Sequence, residues 1–237
     1  MEKAADAARA GNLNFFLTLP PEELNRLISR RDEDGRSLLH SASGSSNVQL
    51  LQFLLSKGAE LMVNTADDEG WTPLQSAVSA GQEEIASKLI SIGADVKAAN
   101  TGGRTALHYA ASKGRPGLVQ LLLQHSARVD AQDTTGSTPL HRVCGTGRLD
   151  VVRVLVEEGK AKLEVKDGTG ATPLFVAASC GHTPAALYLT SRGADVEAED
   201  KETETPLSMA AAHGKLRDTM VAIAKGELDI DELMDLS

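Results

Sequence analysis

Thr138-Pro139-Leu140-His141 returns, whole or varied, five more times along the chain: Ser37-Leu38-Leu39-His40, Thr72-Pro73-Leu74-Gln75, Thr105-Ala106-Leu107-His108, Thr172-Pro173-Leu174-Phe175 and Thr205-Pro206-Leu207-Ser208. The first residues of successive copies stand 35, 33, 33, 34 and 33 positions apart. A constant period of this size marks a repeat architecture. One such unit cannot bury its apolar face alone, and stacking against its neighbours supplies the core.

The unit from Thr105 to Ser126 shows how each repeat is built. Thr105 stands at a helix N-cap, its hydroxyl placed to accept a backbone N–H of the first turn. Sister copies put Pro at the next position (Pro73, Pro139, Pro173, Pro206), where the missing donor costs nothing. Leu107, Ala110 and Ala111 face inward from the first helix, and Gly114 ends it. Leu118, Val119, Leu122 and Leu123 give the second helix its apolar stripe. A C′ residue follows, Gly58, Gly93, Gly159, Gly193 or Gly226, with Ser126 in the remaining slot. Then comes an Asp/Asn-x-x-Gly turn, as in Asn100–Gly103, Asp133–Gly136 and Asp167–Gly170. Two linkers are longer than the rest, Gly58 to Thr72 and Gly159 to Thr172, with the extra residues ahead of the turn.

This order of turn and two helices at a 33-residue period resembles the ankyrin repeat. The expected fold class is an all-α repeat solenoid of seven ankyrin helix-turn-helix units with β-hairpin tips. A single domain over residues 1–226 is expected. Residues 1–33 form a degenerate capping repeat, and later repeats start near 34, 67, 100, 133, 167 and 200. An acidic tail occupies 227–237.

Composition narrows the function. The chain is 41% hydrophobic but 3% aromatic, which suits a core of stacked Leu, Ala, Val and Ile. The net charge of −9 argues against nucleic acid as a partner. Arg192 to Ser237 holds 12 acidic against 5 basic residues. The N-terminus lacks an apolar signal core and no stretch is long enough to cross a membrane. A monomeric cytoplasmic and nuclear protein is expected, with no membrane contact and with Cys144 and Cys180 as buried free thiols. His40, His108 and His141 share the fourth tetrad position, where an ankyrin His bonds to the adjacent turn, and their spacing fits no metal site. No catalytic residue, metal or cofactor is expected, so the chain reads as a binding surface and not an enzyme.

Residues that depart from the repeat pattern are the binding candidates. The early tips are dense in charge, with Asp32-Glu33-Asp34 before Arg36, and Asp67-Asp68-Glu69 before Trp71. Trp71 is the one Trp in the chain and stands at a tip base, a place for a contact anchor. On the fourth repeat Tyr109, Ser112 and Lys113 face the concave side by helical phase, with Arg115 just beyond Gly114. Acidic tips beside basic groups suit a partner of alternating charge.

Asp67-Asp-Glu-Gly-Trp-Thr-Pro-Leu, Ser79-Ala-Gly-Gln-Glu-Glu-Ile, Ala106-Leu-His-Tyr-Ala-Ala-Ser-Lys and Lys201-Glu-Thr-Glu-Thr-Pro-Leu together resemble the gankyrin family of proteasome assembly chaperones, over roughly residues 5 to 215. The resemblance implies that the concave face clasps the C-terminal domain of one proteasomal AAA ATPase subunit during assembly of the regulatory particle. On matching positions Asp34, Arg36, Asp68 and Lys113 would carry the contact, with Trp71 and Tyr109 as apolar neighbours and Arg115 beside them. The Leu-x-Cys-x-Glu segment of animal members is replaced by Leu174-Phe-Val-Ala-Ala, so the retinoblastoma binding it supports is not carried over. An unrelated adaptor or inhibitor, binding a kinase or a ligase substrate, is the alternative.

Overall fold

The structure, a computed structural model, describes residues 1–230; the end of the acidic tail, 231–237, lies outside the described residues. It is all-helical, with α1 Glu2–Arg9, α2 Leu13–Leu17, α3 Pro21–Ser29, α4 Leu38–Ser43, α5 Val48–Ser56, α6 Pro73–Ala80, α7 Glu83–Ser91, α8 Ala106–Ser112, α9 Pro116–Gln124, α10 Pro139–Cys144, α11 Leu149–Glu157, α12 Pro173–Ser179, α13 Thr183–Ser191, α14 Pro206–Ala210 and α15 Leu216–Ala224. The chain divides into two compact units. The first comprises Met1–Ala110 with Gln120–Arg128; the second comprises Ala111–Val119 and the chain from Val129 onward.

The tetrads become helix starts, as their chemistry dictates. Thr72, Thr138, Thr172 and Thr205 accept the backbone N–H three residues on, and Pro opens each of these helices. Packing follows the apolar phase. In the first unit α1, α4 and α6 lie side by side, with α5 and α7 behind them. In the second, α10 and α12 pair with α11 and α13, and α14 and α15 follow. Leu50, Leu51, Leu54 and Leu89 in one unit, and Leu155, Leu189 and Met220 in the other, are fully enclosed. Each such side chain contributes about 1.5–3 kcal/mol of burial. Ser43 is the exception: among the described residues its hydroxyl is the one buried side-chain polar atom without a partner, at the place where Ala111 stands in α8.

The first repeat departs from a simple helix pair. Its second helical segment is split into α2 and α3, because Pro20-Pro21 cannot continue a helix. The extra residues after Gly58 wind into a 3-10 turn, Ala59–Met62. The following tip is therefore not displaced: Asp68 N–H still reaches the Asp34 carbonyl at 3.0 Å.

No strand forms among the described residues, so the expected β-hairpin tips are reduced to turns. Pairing is limited to isolated antiparallel bridges, Arg31 with Ser37 and Ala99 with Thr105. A helix opens directly after Ser37 and after Thr105, which leaves one residue on each side free to pair. The turns are closed instead by their first side chain. Asp133 Oδ1 accepts the N–H of Thr135 at 2.9 Å and of Ser137 at 3.1 Å, and Asp32, Asp67, Asp167 and Asp200 act alike.

Tips then bond to tips. Within the first unit Thr101 N–H reaches the Glu69 carbonyl at 3.0 Å; within the second, Gly168 N–H reaches Thr135 at 2.8 Å and Lys201 N–H reaches Thr169 at 3.0 Å. This approach needs a left-handed residue without a side chain. Gly136 has φ +76, and a Cβ there would stand 2.7 Å from Gly168 N. In the last tip the same place is held by Thr203 at φ +64, a strained conformation for a β-branched residue.

Two expectations need correction. The left-handed residue after α11 is Lys160, φ 55, and not Gly159, because the longer linker shifts the turn by one residue. Cys144 is buried but Cys180 is exposed, and both are free. Cys180 caps the C-terminus of α12, two places further along its repeat than Cys144, and so leaves the packed face. Burial pushes the Cys144 thiol far above its ordinary range.

Gly136→Ala is expected to lower stability by about 2 kcal/mol, from strain plus the lost approach. Gly193→Ala, at φ +88 with nothing within 4 Å, should cost about 1 kcal/mol from strain alone. Urea unfolding of both variants checks this; equal losses would contradict the close-approach argument.

Candidate protein-binding face

The tetrad histidines are scaffold. The N–H of Ser37 lies 3.1 Å from His40 Nδ1, so that nitrogen accepts. The proton is therefore on Nε2, which donates to the Trp71 carbonyl at 2.9 Å. His141 repeats this, accepting from Thr138 N–H at 3.2 Å and donating to the Ala171 carbonyl at 3.0 Å. His108 Nδ1 accepts from Thr105 N–H at 3.1 Å. Gln75 serves the same purpose with an amide: Oε1 accepts from Thr72 N–H at 2.9 Å, and Nε2 donates to the carbonyls of Ala98 and Arg104. Burial lowers the pKa of His40 and His141 below the ordinary histidine value, which keeps both neutral as these bonds require.

That scaffold fixes Trp71 in place. Its N–H donates to Asp67 Oδ1 at 2.7 Å. Its carbonyl accepts from Asp67 N–H at 2.8 Å and from His40. The half-buried indole lies on the Tyr109 ring, centroids 4.4 Å apart and planes inclined by 34°, and Asn100 Nδ2 donates to the Tyr109 oxygen at 2.8 Å. Arg36 is partly committed to the fold. Its guanidinium reaches Asp67 at 3.4 Å and Ser76 Oγ at 3.3 Å, joining neighbouring repeats, and about a third of it stays exposed.

Five of the seven candidates thus meet in the first unit. Asp34 and Asp68 are exposed; with Arg36, Asp67, Glu69 and Trp71 they line a cavity of about 230 Å³. A neighbouring groove of about 400 Å³ shares Arg36 and Trp71 and adds Arg9, Ser41, Ser76 and Ser79. Lys113 and Arg115 belong to the second unit, both exposed after α8. There Arg142 pairs with Asp133 through Nε at 3.1 Å. Burial alone would raise the Asp133 carboxyl, but the Thr135 hydroxyl and Arg142 outweigh it and hold it far below the usual range.

Arg9, which lines the larger groove, and Asn100, which bonds to Tyr109, escaped the sequence reading. Arg9 sits in the degenerate first repeat, where no tetrad sets a register. Asn100 did leave a signal: it stands where the neighbouring tips have Asp. On the outer side of the second unit, Tyr188 is held between Arg153 and Arg192 at 4.8 and 4.9 Å and donates to Glu157 at 2.8 Å. This is a packing device of α11 and α13. Among the described residues no group of three or more His, Cys, Asp or Glu could hold a metal, and no helix is long and apolar enough to cross a membrane.

A profile of the family described as ankyrin repeats (3 copies) matches residues 5–100, 93–167 and 159–232. Over 89 residues the chain is 44% identical to protein phosphatase 1 regulatory subunit 27 of Mus musculus, covering 35% of this chain and 56% of that protein. Over 65 residues it is 42% identical to the 26S proteasome non-ATPase regulatory subunit 10 of Dictyostelium discoideum, covering 27% and 28% respectively. Over 93 residues it is 36% identical to the RelA-associated inhibitor of Mus musculus, covering 39% and 11%. The chain spans about half the length of the first of these relatives and less of the others.

The histidines make acid stability predictable. Because the folded pKa values of His40 and His141 lie below the unfolded one, the unfolded chain takes up protons first as pH falls through about 6.5. Their contribution is present above that pH and is lost below it. A His40→Gln/His141→Gln variant, bonded as Gln75 is, should fold and lose less Tm between pH 7 and 5.5 than the parent. Identical slopes in thermal melts would contradict the bonding described.

Proposed function

We propose that this chain, which belongs to the ankyrin-repeat family, is a protein-binding adaptor of the gankyrin type that holds the C-terminal domain of a proteasomal ATPase subunit on the inner face of its first unit. The observation that carries this reading is the cavity of Asp34, Asp68 and Trp71. Two exposed carboxylates flank an aromatic wall whose backbone is fully bonded. Such a site takes a basic side chain of the partner, its charge met by Asp34 and Asp68 and its flat face by Trp71. On the second unit, the exposed Lys113 and Arg115 offer positive charge that suits acidic residues. A relative named as a proteasome non-ATPase regulatory subunit supports the reading.

A second reading has a specific observation behind it. The likeness to the phosphatase 1 regulatory subunit runs over 89 residues, in the mouse and in the human protein, against 65 for the proteasome subunit. A phosphatase-directed adaptor is therefore the alternative.

Calorimetric titration of the full chain with the isolated C-terminal domains of the proteasomal ATPases, and with the catalytic subunit of protein phosphatase 1, separates the two. One ATPase domain is expected to bind, with an affinity that falls as salt rises. Asp68→Arg and Lys113→Glu should each weaken it by about tenfold or more. Their melting temperatures should hardly move, since exposed charges contribute little to stability. Binding to the phosphatase alone would favour the alternative, and ATPase binding indifferent to both substitutions would remove the inner face from the mechanism.

A further inference from the structure

Ser41 and Ser76 stand at the same place in successive repeats, directly after the tetrad, where the next two repeats carry Tyr109 and Arg142. Two small residues in a row leave room for the groove of about 400 Å³, lined from α1, α4 and α6. The groove is rich in unspent donors. Ser41 is 3% exposed, and its hydroxyl makes no hydrogen bond to a described residue. Unlike the sealed hydroxyl of Ser43, it belongs to the groove wall, as does Ser79, which is likewise unbonded. Ser76 Oγ accepts from Arg36 at 3.3 Å, so its own proton is still to be given. Asp67 and Ser76 engage one N–H each of Arg36, and the guanidinium fork keeps others. Arg9 lines the same groove. It pairs with Asp6 on its own helix, both side chains more than half exposed, an ion pair that water weakens and a bound anion can replace. Among the described residues that line the groove none is acidic.

From this convergence of guanidinium and hydroxyl donors we infer that the groove is a subsite for a phosphorylated side chain of the partner, phosphoserine or phosphothreonine. The inference rests on the reading of the first unit's inner face as the binding face. It leaves the cavity of Asp34 and Asp68 to the partner's basic side chain, since the groove is a separate space that shares only Arg36 and Trp71 with it. The two groups would sit on either side of that shared wall, so the partner sequence is one in which a phosphorylated residue and a Lys or Arg lie close together. A phosphoryl group brings three strong acceptor oxygens and about two negative charges. Arg36 and Arg9 meet the charge, and the hydroxyls of Ser41, Ser76 and Ser79 meet the oxygens. A carboxylate has fewer oxygens and half the charge, and would leave buried hydroxyls such as that of Ser41 unmet, which makes the groove selective.

Trp71 is the one Trp in the chain and lines the groove, so its fluorescence reports occupancy. The test titrates the full chain with acetyl-phosphoserine amide, acetyl-glutamate amide and inorganic phosphate. A saturable change is expected with the phosphoserine compound, about tenfold tighter than with either of the others. Ser41→Ala/Ser79→Ala removes only unbonded hydroxyls and should melt as the parent does; Arg9→Gln, on an exposed position of α1, is the second variant. Each should bind the phosphoserine compound about tenfold more weakly. No saturable change, glutamate or free phosphate bound as tightly as phosphoserine, or an affinity unchanged in both variants would each overturn the inference. The titration does not depend on which macromolecule is the partner. Silent ATPase domains with phosphoserine bound would mean a wrong partner on a correct subsite; bound ATPase domains without a phosphoserine response would mean the reverse.

Discussion

One backbone hydrogen bond per step, from the N–H of one tip turn to the carbonyl of the tip before it, sets the register on which each unit depends. It is short, 2.8 Å from Gly168 to Thr135, and it forms because a left-handed glycine lets two turns approach to backbone contact. Behind the tips the tetrad side chain ties the same pair of repeats a second time, through His40, Gln75 or His141. With two ties per step, inner helices of small residues pack at a fixed spacing, and side chains on successive repeats meet as Trp71 meets Tyr109.

The proposed binding face follows from what that register leaves over. Position by position the fold consumes polar groups: Asp67 closes its turn and holds Arg36, and Asp133 closes its turn and holds Arg142. The carboxylates one or two places away, Asp34 and Asp68, have no such duty and remain exposed. An acidic ridge beside a rigid aromatic wall is thus a by-product of turn chemistry, and a partner's basic side chain can meet it without a change in the scaffold. The final repeat shows what happens when the register weakens. Phe175 replaces the tetrad histidine, so that step keeps its Gly170-dependent tip bond but loses the second tie, and the last tip carries strain at Thr203 in place of a glycine.

Much of this was legible in the chain. The tetrads as helix starts follow from local rules, and the threonine cap recurs at Thr72, Thr138, Thr172 and Thr205. The histidines were readable as scaffold because their spacing matched the repeat and no metal pattern. What escaped depends on shifts of one or two residues or on partners far apart in sequence. Lys160 takes the left-handed place of Gly159 because of one extra linker residue. Cys180 sits two places further along its repeat than Cys144 does along its own and so is exposed. The hydrogen bond from Asn100 to Tyr109 spans a turn and a helix start, and its polarity needs the amide's orientation, which composition and spacing do not carry.

Hydrogen–deuterium exchange of the full chain, alone and with an ATPase C-terminal domain that binds it, tests the central claim most directly. Slowed exchange confined to the tips at 32–36 and 67–71 and to the start of α8 is the expected result. Slowed exchange on the outer helices α5 and α7 with unchanged tips would contradict it.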